Sequence, residues 1–232
     1  MPLRGIVNTA RSLSYYLRLQ EVTANNLANV NTDAFKADRL TAQTLPDLQF
    51  PTPVQTTDLQ QGAFRDTGRP LDLGLEGQGF FVVRTDRGER LTRGGSFQLD
   101  PSGTLTDTHG NPLLGVDGPM VLAGTTVEVQ NDGSVMVDGA LAGRLRVETV
   151  DDLGALHKEA AGRFIASTPT HPVDEDTTHV RQGAIEEPNL DPLLSMVDLI
   201  TIQRAYSANV DALKAMDSVL GTVTGEVGRV GP

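Results

Sequence analysis

Cysteine and tryptophan are both absent from this 232-residue chain, and aromatic residues make up only 4% of it. Without cysteine there is no disulfide, no thiolate metal site and no thiol nucleophile, and the chain is indifferent to the redox state around it. Basic residues are also short, 19 against 30 acidic ones for a formal net charge of -11, so the footprint of a nucleic-acid binder is missing. No stretch reaches the length and apolarity of a membrane span. The opening residues 1–11 hold no apolar run ending in a small-residue cleavage site, which predicts that any route out of the cytoplasm dispenses with a cleaved signal. What remains, 38% hydrophobic residues, suffices for a core of modest size.

The apolar residues near the start fall in heptads. Leu3, Ala10, Leu17 and Ala24 form one row and Ile6, Leu13 and Leu27 the other, interrupted only by Gln20. At about 1.5 Å per residue this predicts a rod-like helix about 40 Å long, with Arg4, Arg11 and Arg18 as a basic stripe beside its seam. The far end mirrors it: Leu199, Tyr206, Leu213 and Leu220 repeat every seven residues, flanked by Met196, Ile200, Ile202 and Val210. Asp191 is a good N-cap and Pro192 suits a first helical turn, so a second helix is expected from about 192 to 223.

Between the ends lie short β-prone runs punctuated by turn chemistry. "GFFVVRT" precedes Asp86-Arg87-Gly88, "SFQL" precedes Asp100-Pro101-Ser102-Gly103, and Asn131-Asp132-Gly133 separates "TVEV" from "SVMV". The expected architecture is α+β: long N- and C-terminal helices forming a coiled-coil-like layer, with a central antiparallel β domain. Its parts are residues 1–39, an N-terminal helix and motif; 40–61, an extended connector with Pro46, Pro51 and Pro53; 62–185, the β domain; and 186–232, the C-terminal helix and a short tail. Apolar seams of this length exceed what a monomer normally leaves bare, which predicts a subunit that completes its folding on assembly.

One stretch resists a simple helical reading. "VTANNLANVNTDAFK" crowds Asn25, Asn26, Asn29 and Asn31 among apolar residues, and a buried amide without partners costs roughly 1–3 kcal/mol. This stretch resembles the N-terminal motif of the axial proteins of the bacterial flagellum, the rod and hook subunits. "GQGFFVV" with "LTRGGSFQLDPSGTLTDTHGNPLLG" is similar to the central signature of that family, and "EEPNLDPLLSMVDLITIQRAYSANVDALKAMDSVLGTV" to its C-terminal motif. Three motifs in order cover both ends and the middle. The run "GPMVLAGTTVEVQNDGSVMVDGALAGRLRVETV" is more like the proximal-rod type than the distal-rod type. Two positions depart from the family pattern: Ala34 stands where glycine is usual, and Pro188 replaces a small residue before the second helix.

The resemblance implies a structural subunit that polymerises through its terminal helices into a hollow drive shaft carrying torque from motor to hook. Its partners are then copies of itself, neighbouring rod subunits and, in transit, the flagellar type III export apparatus, with no nucleic acid, small-molecule substrate, metal or cofactor. Its place is the periplasmic rod of the basal body. The seam residues above, the four asparagines, Phe35 and, in the second helix, Gln203, Arg204 and Asn209 are the expected interaction residues. The amides would meet those of neighbouring subunits and fix register, as a buried polar residue does in a coiled coil.

Other classes fit less well. "HPVDEDTTH" offers His171, Asp174, Asp176 and His179 to a metal, but the spacing matches no helix face and reads as an acidic loop. "GLEGQGFF" lacks the full dinucleotide fingerprint and runs into a strand, so it implies no phosphate cradle. A distal-rod or short hook-type subunit, or a secreted binding module on a coiled-coil stalk, shares the same kind of ends.

Overall fold

The structure is a computed structural model that describes residues 2–43, 52–174 and 176–227, with side chains from residue 5 to 42 and 52 to 222 in those stretches. Pro46 and Pro51 of the expected connector lie outside it. The chain divides into two compact units: a helical unit built from residues 1–28, 38–56 and 191–232, and a β unit built from 29–37 and 57–190.

In the helical unit, α1 (Pro2–Ala28) packs on α2 (Pro192–Val227). Asp191 caps α2 as its sequence predicts, Oδ1 accepting from the Leu193 and Leu194 N–H groups at 2.8 and 3.2 Å, with Pro192 in the first turn. The early part of α1 meets the far half of α2, so the helices run antiparallel. Thr9 is buried, with Oγ1 donating to the Gly5 carbonyl at 3.0 Å and lying 3.9 Å from Met216 Sδ. A Cβ added at Gly5 would sit 3.7 Å from the same sulfur.

The expected coiled-coil-like layer is not formed. Among the described residues there are two α-helices, one from each end of the chain, paired with each other and with no further α-helix to make a layer. One heptad row of α1 stays bare: Ala10, Leu17 and Ala24 are exposed, while Ile6, Leu13 and Leu27 of the other row are half-buried and the buried places go to Thr9 and Val22. The physical reason is that alanines present too little apolar area to hold a knobs-into-holes seam, while Gly5 and Thr9 admit the bulkier side chains of α2. The α+β class with terminal helices stands; the layer does not.

Residues read as an extended connector contribute strand Asp38–Gln43 and strand Thr52–Thr57, which pair with each other. Gln55 links this ribbon to α1, accepting from Arg18 Nη2 at 2.8 Å and donating to Asp38 Oδ2 at 3.1 Å.

The β unit is built on a six-stranded antiparallel sheet in the order Leu156–Lys158, Arg163–Ala166, Gly88–Thr92, Phe80–Thr85, Val147–Thr149 and His171–Pro172. The apolar run "FFVV" is continuous because both faces of this central strand are covered. Phe81 and Val83 enter a core with Leu73, Phe97, Leu105 and Val135, while Phe80 and Val82 face a second with Leu91, Leu114 and Phe164. A second, three-stranded sheet, Val127–Val129, Ser134–Val137 and Ala140–Arg144, turns at Asp138-Gly139, where both residues have positive φ (50° and 82°) as a tight hairpin requires. Gly95, in "TRGGSF", has no room for a side chain: a Cβ there would lie 1.8 Å from the Leu73 carbonyl oxygen.

Candidate assembly surface and the anchored motif

The N-terminal motif divides at the end of α1. Its first half stays on the helix, and Asn26 spends its amide within the chain: Oδ1 accepts from the Asp38 N–H at 2.9 Å and Nδ2 donates to the Asp38 carbonyl at 2.8 Å, as a neighbouring strand would. Asn29 begins a turn, its carbonyl accepting from the Thr32 N–H at 3.0 Å and its Oδ1 from the Thr32 hydroxyl at 3.3 Å. Asn25 and Asn31 are exposed.

The second half folds into the β unit. Ala34 adopts the left-handed conformation (φ 52°) that favours glycine, a cost of about 1 kcal/mol, and its N–H donates to the Glu186 carbonyl at 2.7 Å. Phe35 is buried, with Lys158 Nζ 3.7 Å above its ring centroid. Next to it Lys36 is only 1% exposed and pairs with the fully buried Glu186 carboxylate, while also donating to the Gln60 carbonyl at 2.7 Å. Glu186 Oε1 accepts in addition from the Gly62 N–H at 2.9 Å. Glu186 Oε2 has no hydrogen bond and faces Arg93 Nη1 at 3.7 Å. Arg93 in turn donates to the carbonyls of Leu75 and Gly77 at 2.7 and 2.6 Å.

Two cations thus share one carboxylate away from water. Burial pushes the Lys36 ammonium below the ordinary lysine range, an effect Glu186 opposes, and burial lowers Arg93 as well, again against the attraction of Glu186. The arrangement is a structural clasp, since each of its donors is held by protein acceptors.

Asn189, three residues before α2 begins at Pro192, completes the clasp. Its Oδ1 accepts from the Ala37 N–H at 2.8 Å, its Nδ2 donates to the carbonyls of Asp58 and Gln60 at 2.7 and 3.1 Å, and its own N–H reaches the Phe35 carbonyl at 3.2 Å. Pro188 is accommodated without loss of the α2 cap. Sequence reasoning singled out Phe35 but not Lys36, Arg93, Lys158, Glu186 or Asn189. The one local signal for them is the cost of an ionisable residue at the end of an apolar motif, which names no partner.

The other side of the candidate surface is α2. At about 100° per residue, Leu193, Met196, Val197 and Ile200 fall on one side of the helix and Ile202, Tyr206 and Leu213 on the opposite side. Ile202 is buried and Leu199, Tyr206, Leu213 and Leu220 are half-buried, whereas Met196 and Ile200 are exposed. Leu193 and Leu194 are 73% and 64% exposed. Gln203 and Arg204 are exposed, and Asn209 donates to the Ala205 carbonyl one turn back at 2.7 Å. On α1, Ile6, Leu13 and Leu27 are half-buried, and the Leu3 side chain lies outside the described residues.

His171 Nε2 lies 3.0 Å from Asp151 Oδ1, and among the described residues no group of three or more histidines and carboxylates could hold a metal ion. No described helix is long and apolar enough to cross a membrane.

Three families match along the chain: "Flagella basal body rod protein" over residues 13–36, "Flagellar hook protein FlgE/F/G D1 domain" over 74–137, and "Flagellar basal body rod FlgEFG protein C-terminal" over 181–225. The chain is 32% identical to the flagellar basal-body rod protein FlgF of Caulobacter vibrioides, with 91% of each protein covered. It is 31% identical to FlgF of Escherichia coli, covering 94% of this chain and 95% of that protein. To the rod protein FlgG of Bacillus subtilis it is 28% identical, over 94% and 97%. With three family matches in order along the chain and more than nine-tenths of both proteins aligned, the chain belongs to the flagellar basal-body rod proteins and is most like FlgF, a structural subunit of the rod in the flagellar basal body.

Proposed function

We propose that this subunit enters the rod through its helical unit, laying the bare side of α2 against helices of neighbouring copies and of other rod subunits. The carrying observation is the exposed set Leu193, Met196, Val197 and Ile200, which sits on the side of α2 turned away from its buried residues. Fully covering a side chain of this kind contributes about 1.5–3 kcal/mol, so four of them supply a contact that a folded monomer has no reason to leave in water. In this reading the patch meets a different surface of the neighbouring subunit, and unlike surfaces whose rotation does not close build an open helical filament. A hollow shaft that carries torque from motor to hook is such a filament. The exposed amides of Asn25 and Asn31, with Gln203 and Arg204, fix register within it. Kinship with FlgF supports a proximal position in the periplasmic rod and delivery by the flagellar export apparatus, and the reading includes no catalytic role.

The double variant Met196→Glu/Ile200→Glu tests this. Both side chains are exposed, so the isolated chain should keep its melting temperature and far-ultraviolet dichroism, while incorporation into isolated basal bodies and swimming are lost. Wild-type incorporation of the double variant would overturn the proposal.

A further inference from the structure

We infer that the cluster Lys36–Glu186–Arg93 with Asn189 is a mechanical anchor that binds together the points at which the chain leaves the β unit. The mechanical purpose rests on the rod reading above; the anchor itself rests on geometry.

The chain passes out of the β unit beside residues 29, 37, 57 and 190. Three of these four exits meet at one amide. Ala37 donates to Asn189, Asn189 donates to Asp58, and the Asp58 N–H closes the ring by donating to the Ala37 carbonyl at 2.8 Å. Immediately behind this ring, Lys36 and Glu186 join the same segments by an ion pair shielded from water, and the Gln60 carbonyl and Gly62 N–H tie in the third. The six-stranded sheet reaches the cluster from two sides. Lys158, on its edge strand, donates to the Lys36 carbonyl at 2.6 Å, and Arg93, just past strand Gly88–Thr92, faces Glu186.

Load entering through separate, untied exits would open the peripheral pairs one at a time, beginning with the short ladder of Phe64–Asp66 on Ala184–Glu186. With the exits tied, the same load must break the Asn189 bonds and the buried ion pair together before any strand peels. The ion pair at its centre suits this task, because Lys36 and Glu186 are shielded from water and their attraction gains strength from the low local dielectric, with the half-buried Asn189 bonds beside it. The "DAFK" half of the N-terminal motif is accordingly an internal element of each subunit, not a surface offered to its neighbours.

Pulling on the full-length chain tests the inference, and the absence of native cysteine makes it practical. Cysteines introduced by Arg39→Cys and Asp191→Cys, two and one residues beyond two of the exits, carry handles for optical tweezers. Asn189→Ala should raise the rate at which the handles separate under load by about tenfold, the factor for losing a small set of hydrogen bonds. Asn189→Asp, which keeps the acceptor for Ala37 but loses the donor to Asp58, should fall between. Val135→Ala, in the core and remote from the exits, serves as the control for a general loss of stability. The inference is supported if Asn189→Ala weakens the tethered pair while Val135→Ala, at a matched drop in melting temperature, does not. It is overturned if the two behave alike or if Asn189→Ala leaves the separation rate unchanged. The readout needs no assembled rod, so failure here is distinct from failure of the α2 variant to disturb incorporation.

Discussion

Replacing Glu186 by Gln keeps the volume of the side chain and an acceptor for Gly62, but removes the charge that Lys36 and Arg93 both face. Both side chains of the ion pair are essentially inaccessible to water, 1% and 0% exposed, so solvent does not screen the change. Removing one partner of a buried pair costs about 3–5 kcal/mol. Near the transition this corresponds to a melting temperature lower by roughly 6–20 °C for a unit of this size. The pH dependence follows from the direction in which Lys36 is already displaced. Its folded-state pKa lies below its unfolded value through burial, so between the two the unfolded chain binds more protons and stability rises with pH. Without Glu186 the attraction that opposes burial is gone, the repulsion from Arg93 remains, and the window opens further towards neutral pH. Urea denaturation of wild type and Glu186→Gln at pH 7 and 9.5 should therefore show a large deficit at pH 7 that narrows at pH 9.5. Adding Lys36→Met to the variant removes the second cation and should restore part of the loss at pH 7. A deficit below about 1 kcal/mol at pH 7, within the range of ordinary surface substitutions and their neighbours, or one that does not narrow with pH, would refute the reasoning.

Two further substitutions separate internal roles from assembly. Gly95→Ala places a Cβ 1.8 Å from the Leu73 carbonyl oxygen, a backbone clash that no rotamer relieves; the β unit should lose more than about 3 kcal/mol or fail to fold, read by its thermal transition. Asn26→Ala removes two hydrogen bonds to the Asp38 backbone and should lower the stability of the helical unit by about 1–3 kcal/mol, seen as earlier melting of the helical dichroism of the chain. If Asn26 acted only between subunits, the isolated chain would melt unchanged.

Local signals in the sequence were read well where the cause was local. The Asp191-Pro192 start of α2 depends on one carboxylate and two neighbouring N–H groups, and the Asn131-Asp132-Gly133 turn depends on Asp132 accepting from the Ser134 N–H and on the positive φ of Gly133; each is written within four residues. The run "GFFVVRT" announced a strand, though only the two cores on its faces explain why it does not alternate. The heptads misled because period records which residues of a helix are apolar and not which partner will cover them. Leu17 and Ala24 fit the pattern and stay exposed, whereas Thr9 does not and is buried.

By itself, then, the sequence determined that two long helices flank a β domain, that its turns fall where Gly, Asp and Asn place them, and through three ordered motifs which family it joins. These features follow from backbone preferences and side-chain alternation over a few residues. Only the tertiary structure decided that Asn26 is satisfied by Asp38, that Lys36 is matched by Glu186 150 positions away, and that α2 keeps one apolar side bare. Such pairings are settled by which groups must leave water together, and a choice made across that separation leaves no periodic trace in the chain.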